Sequence, residues 1–578
     1  MTRVRRKGCD RIGIGSMVVI AGIVVLAGGS RGDAQTIPAD AVPSCIVAPA
    51  QFQSWFATGV IPNGIVKPAN SVTFAGNNNC SFYQWSEQMF LWLTSPAPPE
   101  YGGTDRIFDS PTFFDVSAPD PTTGERSFIR HVPGSPLQLT PRLAQRGAHD
   151  LPVVMTKAGK LFEVAPPVLA PSGKQVVVNS AGARVEIDRV VKQNGKLVFL
   201  DATGHAVVGV RPALHAAMAQ GNVLQKVVVD GGVVFVDALG VPAEIEQGQA
   251  DGSVLMSQNR SLVYYATMVN DVYAYFLTGV KVGAIGPGTQ FPTTQPELNQ
   301  ILAFAAPFAR IPDPEALAIE IKTSWVDVKS LANPGDYLTM SAMVPIYDQS
   351  DPSLWVPTGS KPVTLALVGV HVVGSAANHP EMIWATFEHF NNSPSQSYTY
   401  NSTSGPRPSP PDPSVAWLFN SGKPTSVNQA TMVMSGVDIA GLGANPFTPS
   451  DTLRINAWGA AQNAPPNPGV PSPAASNSEL ISINHSVLTQ IPPGDVRARY
   501  FMLGSTWTNG RPPTGSFPQG NVVGTSQLSN STLETYVQGS GAYDAFLGCF
   551  GCHTLGGQPL PMVQLSHVFE QLQPLQPF

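Results

Sequence analysis

The chain of 578 residues reads as mainly β (α+β): a large β-rich body with a few short helices and a C-terminal helical segment. Three observations predict this. The 54 glycines and 55 prolines divide the sequence into many short apolar runs, which is turn-rich chemistry. Residues 319–325, Ile-Glu-Ile-Lys-Thr-Ser-Trp, alternate with period two and so place Ile319, Ile321, Thr323 and Trp325 on one face of a strand. Residues 155–245 carry an internal repeat of β-branched strand, Asn or Asp turn and Gly. A hydrophobic fraction of 43% is enough to bury a large core and excludes a disordered chain. With 12% charged residues and a formal net charge of −6, the composition argues against a nucleic-acid partner, which would need a basic patch.

Five regions are expected in order. Residues 1–34 form an export signal: Arg3, Arg5, Arg6 and Lys7 precede an apolar run at 12–26, and small residues at 32–34 offer a cleavage site. The run is short for a membrane span of about 20 residues, although an uncleaved anchor is an alternative. The mature chain is therefore expected without a membrane span, exported to a bacterial periplasm or secreted. Residues 35–154 follow, with a helix predicted over 84–93 that aligns Trp85, Met89, Trp92 and Leu93 and ends at the proline run after Ser95. That face reads as core, with the wall of a cofactor pocket as the alternative.

Residues 155–250 are a β-hairpin insertion whose copies fall at 173–182, 195–204 and 231–240, with a partial one from Gly159. Residues 251–527 are the β-rich main body. Within it a helix is predicted over 261–278, from the stripe Tyr264, Met268, Val272 and Tyr275, stopping at Gly279. A second is predicted over 296–305 with Pro296 in its first turn. Residues 363–374 read as a central strand and 382–390 as another, with Ile383, Ala385, Phe387 and His389 on one face; the proline-rich stretches 405–413 and 464–473 read as surface loops. In the last region, 528–578, Ser531 and Glu534 have capping-box spacing for a helix over 532–538, resuming at 543–547.

Chemistry concentrates in the cysteines, of which there are five: Cys9, Cys45, Cys80, Cys549 and Cys552. Cys9 lies in the export signal. Cys45 and Cys80 are an even pair in an oxidising compartment and predict a disulfide worth roughly 3–4 kcal/mol on the chain-entropy argument. Cys549-Phe550-Gly551-Cys552-His553 is a haem-attachment signal. Two intervening residues let one turn of chain present both sulfurs to one porphyrin edge, and the adjacent imidazole then reaches the iron. A thioredoxin pair would need a βαβ setting, and a zinc site would need two more ligands in reasonable spacing.

This run, the export signal and the following Thr554-Leu-Gly-Gly-Gln-Pro-Leu-Pro resemble the exported bacterial c-type cytochromes. The resemblance covers the last 30 or so residues. It implies one covalent haem c on Cys549 and Cys552, iron bound by His553, and one-electron transfer with a redox partner protein or a small-molecule substrate. The sequence departs from the small cytochromes in placing the motif at the end of the chain, so the β-rich body is expected to supply the pocket walls. The sixth iron ligand is expected from Met562 or His567. In the body, His371, His379, His389 beside Glu388, and His485 are further candidates, with Arg497 and Arg499 as partners for propionates. Adjacent strand residues point to opposite faces, so Glu388 and His389 cannot act side by side. Two alternatives stand beside electron transfer: a peroxidase- or oxygenase-like haem c enzyme, and a β-rich binding protein without haem whose Cys549 and Cys552 form a disulfide.

Overall fold

The computed structural model describes residues 37–576, except 103–104, 118–119, 121–122, 124, 133–134, 140–152, 156–160, 166–167, 194–195, 213–222, 230–231, 238–241, 244–254, 352–353, 414, 423–448, 460–465, 468, 515–519, 536–548 and 554–560. The expected export signal lies outside the described residues. So do the partial repeat copy at Gly159 and the expected helix over 543–547.

The body is built on a ten-stranded sheet. Its first strands are β1 (Phe113–Val116), β2 (Phe128–Arg130) and β3 (Leu137–Gln138). After an insertion come β14 (Tyr264–Asn270), β15 (Ile319–Asp327), β16 (Thr339–Asp351), β17 (Leu354–Ala376), β18 (His379–His389), β21 (Tyr500–Trp507) and β22 (Val523–Gly524). The order is β2-β1-β14-β15-β17-β18-β21-β22, with β16 paired to both β17 and β3. The central position of β17 explains its near-continuous apolar run, since both of its faces are covered.

One face of this sheet is the main core. Ala266, Met268, Ile321, Val370, Val372, Ala385 and Phe387 pack there with helix α2 (Asn79–Leu93). The helix starts five residues before the expected position because the Asn78 side chain caps it, accepting from the Ser81 N–H. Its tryptophans are core, not pocket wall: the indole of Trp85 donates to Ser71, and that of Trp92 to Asp313 and Tyr101. Helix α1 (Pro49–Trp55) lies just before it in the chain, and a disulfide joins Cys45 to Cys80 in the first turn of α2, with Cα atoms 5.3 Å apart.

The other sheet face carries a second core around helix α3 (Asp271–Lys281). Here the expectation of one helix over 261–278 is corrected. Residues 264–270 are strand, rich in aromatic and β-branched residues and paired with β15, and helix begins only where the Asn270 side chain caps the Tyr273 N–H. Gly279 does not stop the helix; it lies inside it, against Ile285 and Phe304. Helix α4 (Gln295–Ala305) forms as expected, with a full capping box between Thr294 and Glu297. Residues 405–409 depart from the expected loop: they form β20 (Gly405–Ser409), hairpin partner of β19 (Tyr398–Ser402), beside helix α5 (Pro473–Leu488).

The insertion contains β4 (Val153–Met155), β5 (Leu161–Ala165), β6 (Gln175–Val178), β7 (Arg184–Ile187), β8 (Arg189–Gln193), β9 (Lys196–Leu200), β10 (Arg211–Pro212), β11 (Val223–Val229), β12 (Gly232–Val236) and β13 (Pro242–Ala243) in three small sheets. Two copies, 173–182 and 195–204, share one turn at atomic level; the turn of the copy at 231–240 lies outside the described residues. Asn179 and Asp201 each accept two backbone N–H groups across the turn, and Gly182 and Gly204 adopt φ of 79° and 81° to close it. Among the described residues no helix is long and apolar enough to cross a membrane.

Candidate haem-attachment site

The C-terminal segment docks on the second sheet face in two pieces. The first is 530–535, in which 531–535 form turns where the start of a helix was expected; the rest of that expectation, 536–538, lies outside the described residues. Side-chain bonds to the sheet hold it instead: the Asn530 side chain donates to Thr386 Oγ1 at 3.0 Å and to the Phe387 carbonyl at 2.9 Å, and Thr532 meets Ser324 at 2.7 Å. Glu534 accepts from the Asn530 N–H and also meets His371 Nε2. Close approach requires Gly369 beneath this segment, because a Cβ there would lie 2.7 Å from Ser324 Oγ and 2.9 Å from Asn530 Oδ1. Below it Glu388 and Arg454 form a fully buried pair at 2.7 Å, and Glu388 also accepts from Ser531.

The second piece begins with the one-turn helix α6 (Cys549–His553) and continues through Met562–Leu565. Phe550 and His553 both pack edge-on against Trp384 of β18, with ring centroids 5.5 and 4.5 Å away. Val563, Val568, Phe569 and Leu572 enter the second core, which fixes the segment to α3. The anchoring is thus apolar at the far end and polar at 530–535, with the motif between.

His553 has the arrangement of a metal-ligating histidine. Its Nδ1 is 2.6 Å from the Leu565 carbonyl, which can only accept, so Nδ1 carries the proton and Nε2 keeps its lone pair. Burial, joined by the nearby His567, Lys322 and His371, holds the imidazole well below the ordinary histidine value, against the opposing pull of the Leu565 bond. The neutral form is the one a metal takes. His567 stacks face to face on His553 at 3.8 Å, with 6° between the planes. The His567 ring therefore covers one face of the His553 ring. Met562 is half-buried at the start of its turn.

Sheet alternation sets what else lies near. Val373 of β17 pairs with Trp384, and His371 pairs with Thr386 on one side and Lys322 on the other. His371 and Trp384 are thus diagonal neighbours on one face, about 7–8 Å apart at their Cα atoms. Thr267, Lys322 and His371 form a partly exposed polar row beside the motif. Next along the face, the Glu320 carboxyl is pushed up to about 7 by burial, against a bond from Ser566.

The other histidine and arginine candidates are structural. His389 is stacked on Tyr337 at 3.8 Å and faces the Asp336 carbonyl, and burial pushes its pKa down to about 3. Its neighbour Glu388 points to the opposite face and pairs with Arg454, as alternation requires. His379 meets Glu381 at 2.9 Å. His485 lies in the last turn of α5. Arg497 is buried in a pair with Asp495 at 2.6 Å and Arg499 reaches Asp336 at 3.2 Å. The pairing of His371 with Glu534 was invisible in the sequence because 163 residues separate them.

Neither a family model nor a curated protein nor a solved structure matches the chain. Among the described residues no group of three or more His, Cys, Asp or Glu converges as a metal site.

Proposed function

We propose that this protein is an exported haem c protein of the cytochrome kind, carrying out one-electron transfer with a redox partner. One observation carries the reading: His553, directly after the Cys549–Cys552 pair, donates Nδ1–H to the Leu565 carbonyl and keeps Nε2 for a metal. The residues present fit the group. Cys549 and Cys552 would hold the porphyrin covalently, and His553 would bind its iron; when bound, haem supplies a one-electron couple. The chain's own part is to hold and shield. Leu565 orients the His553 imidazole, and Trp384 packs edge-on against both His553 and Phe550. Met562 or His567 is the proposed sixth ligand, His567 after leaving its stack.

A second reading is a haem c enzyme, peroxidase- or oxygenase-like. The partly exposed polar row of Thr267, Lys322 and His371 beside the motif favours it, because an electron carrier needs only an apolar wall there. Optical and EPR spectra of the purified ferric protein separate the two. A low-spin signal that M562L or H567L converts to high-spin supports the carrier; a high-spin wild type that binds small ligands supports the enzyme. A protein that binds no haem when produced with haem-attachment machinery refutes both.

A further inference from the structure

We infer that the hairpin of β1 and β2 is an acid-held latch: the protonated His131 between Asp109 and Asp115 fixes it, and loss of the proton loosens the edge strand on which residues 571–573 dock. The inference is independent of the haem c reading. Its basis is a juxtaposition on one hairpin. Phe114 pairs with Arg130 and Asp115 with Ile129, so Asp115 and His131 are diagonal neighbours on one face. There His131 Nε2 lies 3.1 Å from Asp115, and Nδ1 lies 3.9 Å from Asp109 in the turn Ile107–Asp109. The imidazole and the Asp115 carboxyl are almost sealed from solvent, at 3% and 6% exposure. The opposite face of the hairpin carries Phe114 and Phe128, which pack edge to face and join Phe569 and Leu572 in the second core.

β2 is the outer strand of the sheet and is 3 residues long. Beyond it lies the C-terminal segment. The Arg126 N–H donates to the Gln571 carbonyl and the Gln573 N–H to the Arg126 carbonyl, both at 2.8 Å, and Arg126 Nε reaches Gln571 Oε1 at 2.6 Å. An edge strand this short belongs to the parts of a fold that open locally, so what lies on its faces decides how firmly it holds. With His131 protonated, the ring offers one N–H toward each carboxyl. Once the proton has left, a neutral ring has a single N–H for two buried acids, and the polar face is underbonded. Among the described residues the further titratable group acting here is Asp105, which adds negative charge beside Asp109. Arg130 turns to the opposite face, over the Phe114 ring at 5.1 Å, and the β14 residue opposite Asp115 is Met268. Burial alone would lower the His131 pKa, but Asp115 and Asp109 outweigh it and raise it. Burial also pushes the Asp109 carboxyl up to about 7. The latch is therefore closed on the acid side and opens as pH rises.

Hydrogen exchange of the full chain, followed at the Arg126 and Gln573 amides from about pH 5 to 8, tests it. Each rate is compared with that of the unfolded chain at the same pH, which removes the intrinsic pH dependence of exchange. Protection at both amides should fall about tenfold across the window, the scale of one displaced ionisation, while the amides of α5 keep theirs. H131Q should give low protection at both amides at every pH. D109N leaves His131 paired with Asp115 and should move the drop to lower pH, which a merely structural role for Asp109 would not produce. It also keeps the test open if H131Q does not fold. Wild-type protection that is flat or rises with pH, a drop unchanged in the variants, or a loss shared equally by α5 overturns the latch.

Discussion

Replacing Arg454 with Met should cost about 3–5 kcal/mol, because it leaves a carboxylate buried without its counter-charge. Glu388 has no exposed side-chain surface and Arg454 has 2%. After the change Glu388 would keep only neutral donors: the Asn392 amide at 3.2 Å, and the N–H and hydroxyl of Ser531. These hydrogen bonds are too few to replace a guanidinium at 2.7 Å. Two lesser contacts go as well, the Arg454 bond to Ser395 and its stacking over Phe501 at 5.1 Å. The loss is a large part of the 5–15 kcal/mol that ordinarily separates folded from unfolded domains. Urea unfolding followed by tryptophan fluorescence measures it. The double variant E388M/R454M should recover most of the loss, since an apolar pair of similar volume removes the orphan charge. Hydrogen exchange at 530–535 should rise in the single variant, because Ser531 hangs on Glu388. A loss under about 1 kcal/mol in R454M, or a double variant less stable than the single one, would refute the reasoning.

Three further outcomes follow from other parts of the molecule. Removing the disulfide as C45S/C80S should cost about 4 kcal/mol for a sequence separation of 35, read as a lowered urea midpoint. G369A should loosen the 530–535 segment by driving a Cβ toward Ser324 and Asn530, so limited proteolysis should cut there first, while wild type resists. The contribution of Asp109 and His131 to stability should fall as pH rises from about 5 to 8, opposite in sense to that of the depressed His389 and His553. Burial pushes the Asp109 carboxyl up to about 7, and His131 is raised because Asp115 and Asp109 outweigh the opposing effect of its burial. A raised carboxyl holds a proton in the folded state that the unfolded chain has released above its ordinary value near 4. A raised histidine stabilises fully below its unfolded value near 6.5 and loses this as pH climbs through its folded value. Both signs agree. The stability difference between wild type and D109N/H131Q should shrink as pH rises across this window; a difference that grows would show them wrong.

Where sequence pattern reflects one local force, it was legible. The alternation at 319–325 became β15, the apolar run at 363–374 became the central part of β17, and the Thr294–Glu297 box became the start of α4. The even pair Cys45 and Cys80 became a disulfide. The sequence misled where two structures share one pattern. Tyr264, Met268 and Val272 fit a helical stripe, yet pairing with β15 claims the first part as strand, and the Asn270 cap divides the segment. Ser531 and Glu534 fit a capping box, yet both side chains find stronger partners in Glu388 and His371 across the fold. At the site, the Cys549–His553 run was readable because it is contiguous. The Leu565 acceptor, the Trp384 wall and the His371–Glu534 pair were not, because each depends on sheet register between distant segments.

The most direct test of the central claim is the intact mass and haem stain of the denatured protein, produced with haem-attachment machinery. One covalently retained haem is expected, lost in C549S/C552S and retained in H553A, because on this reading thioethers and not the iron bond would hold the porphyrin. A denatured chain of unmodified mass, with Cys549 and Cys552 joined as a disulfide, would contradict the account.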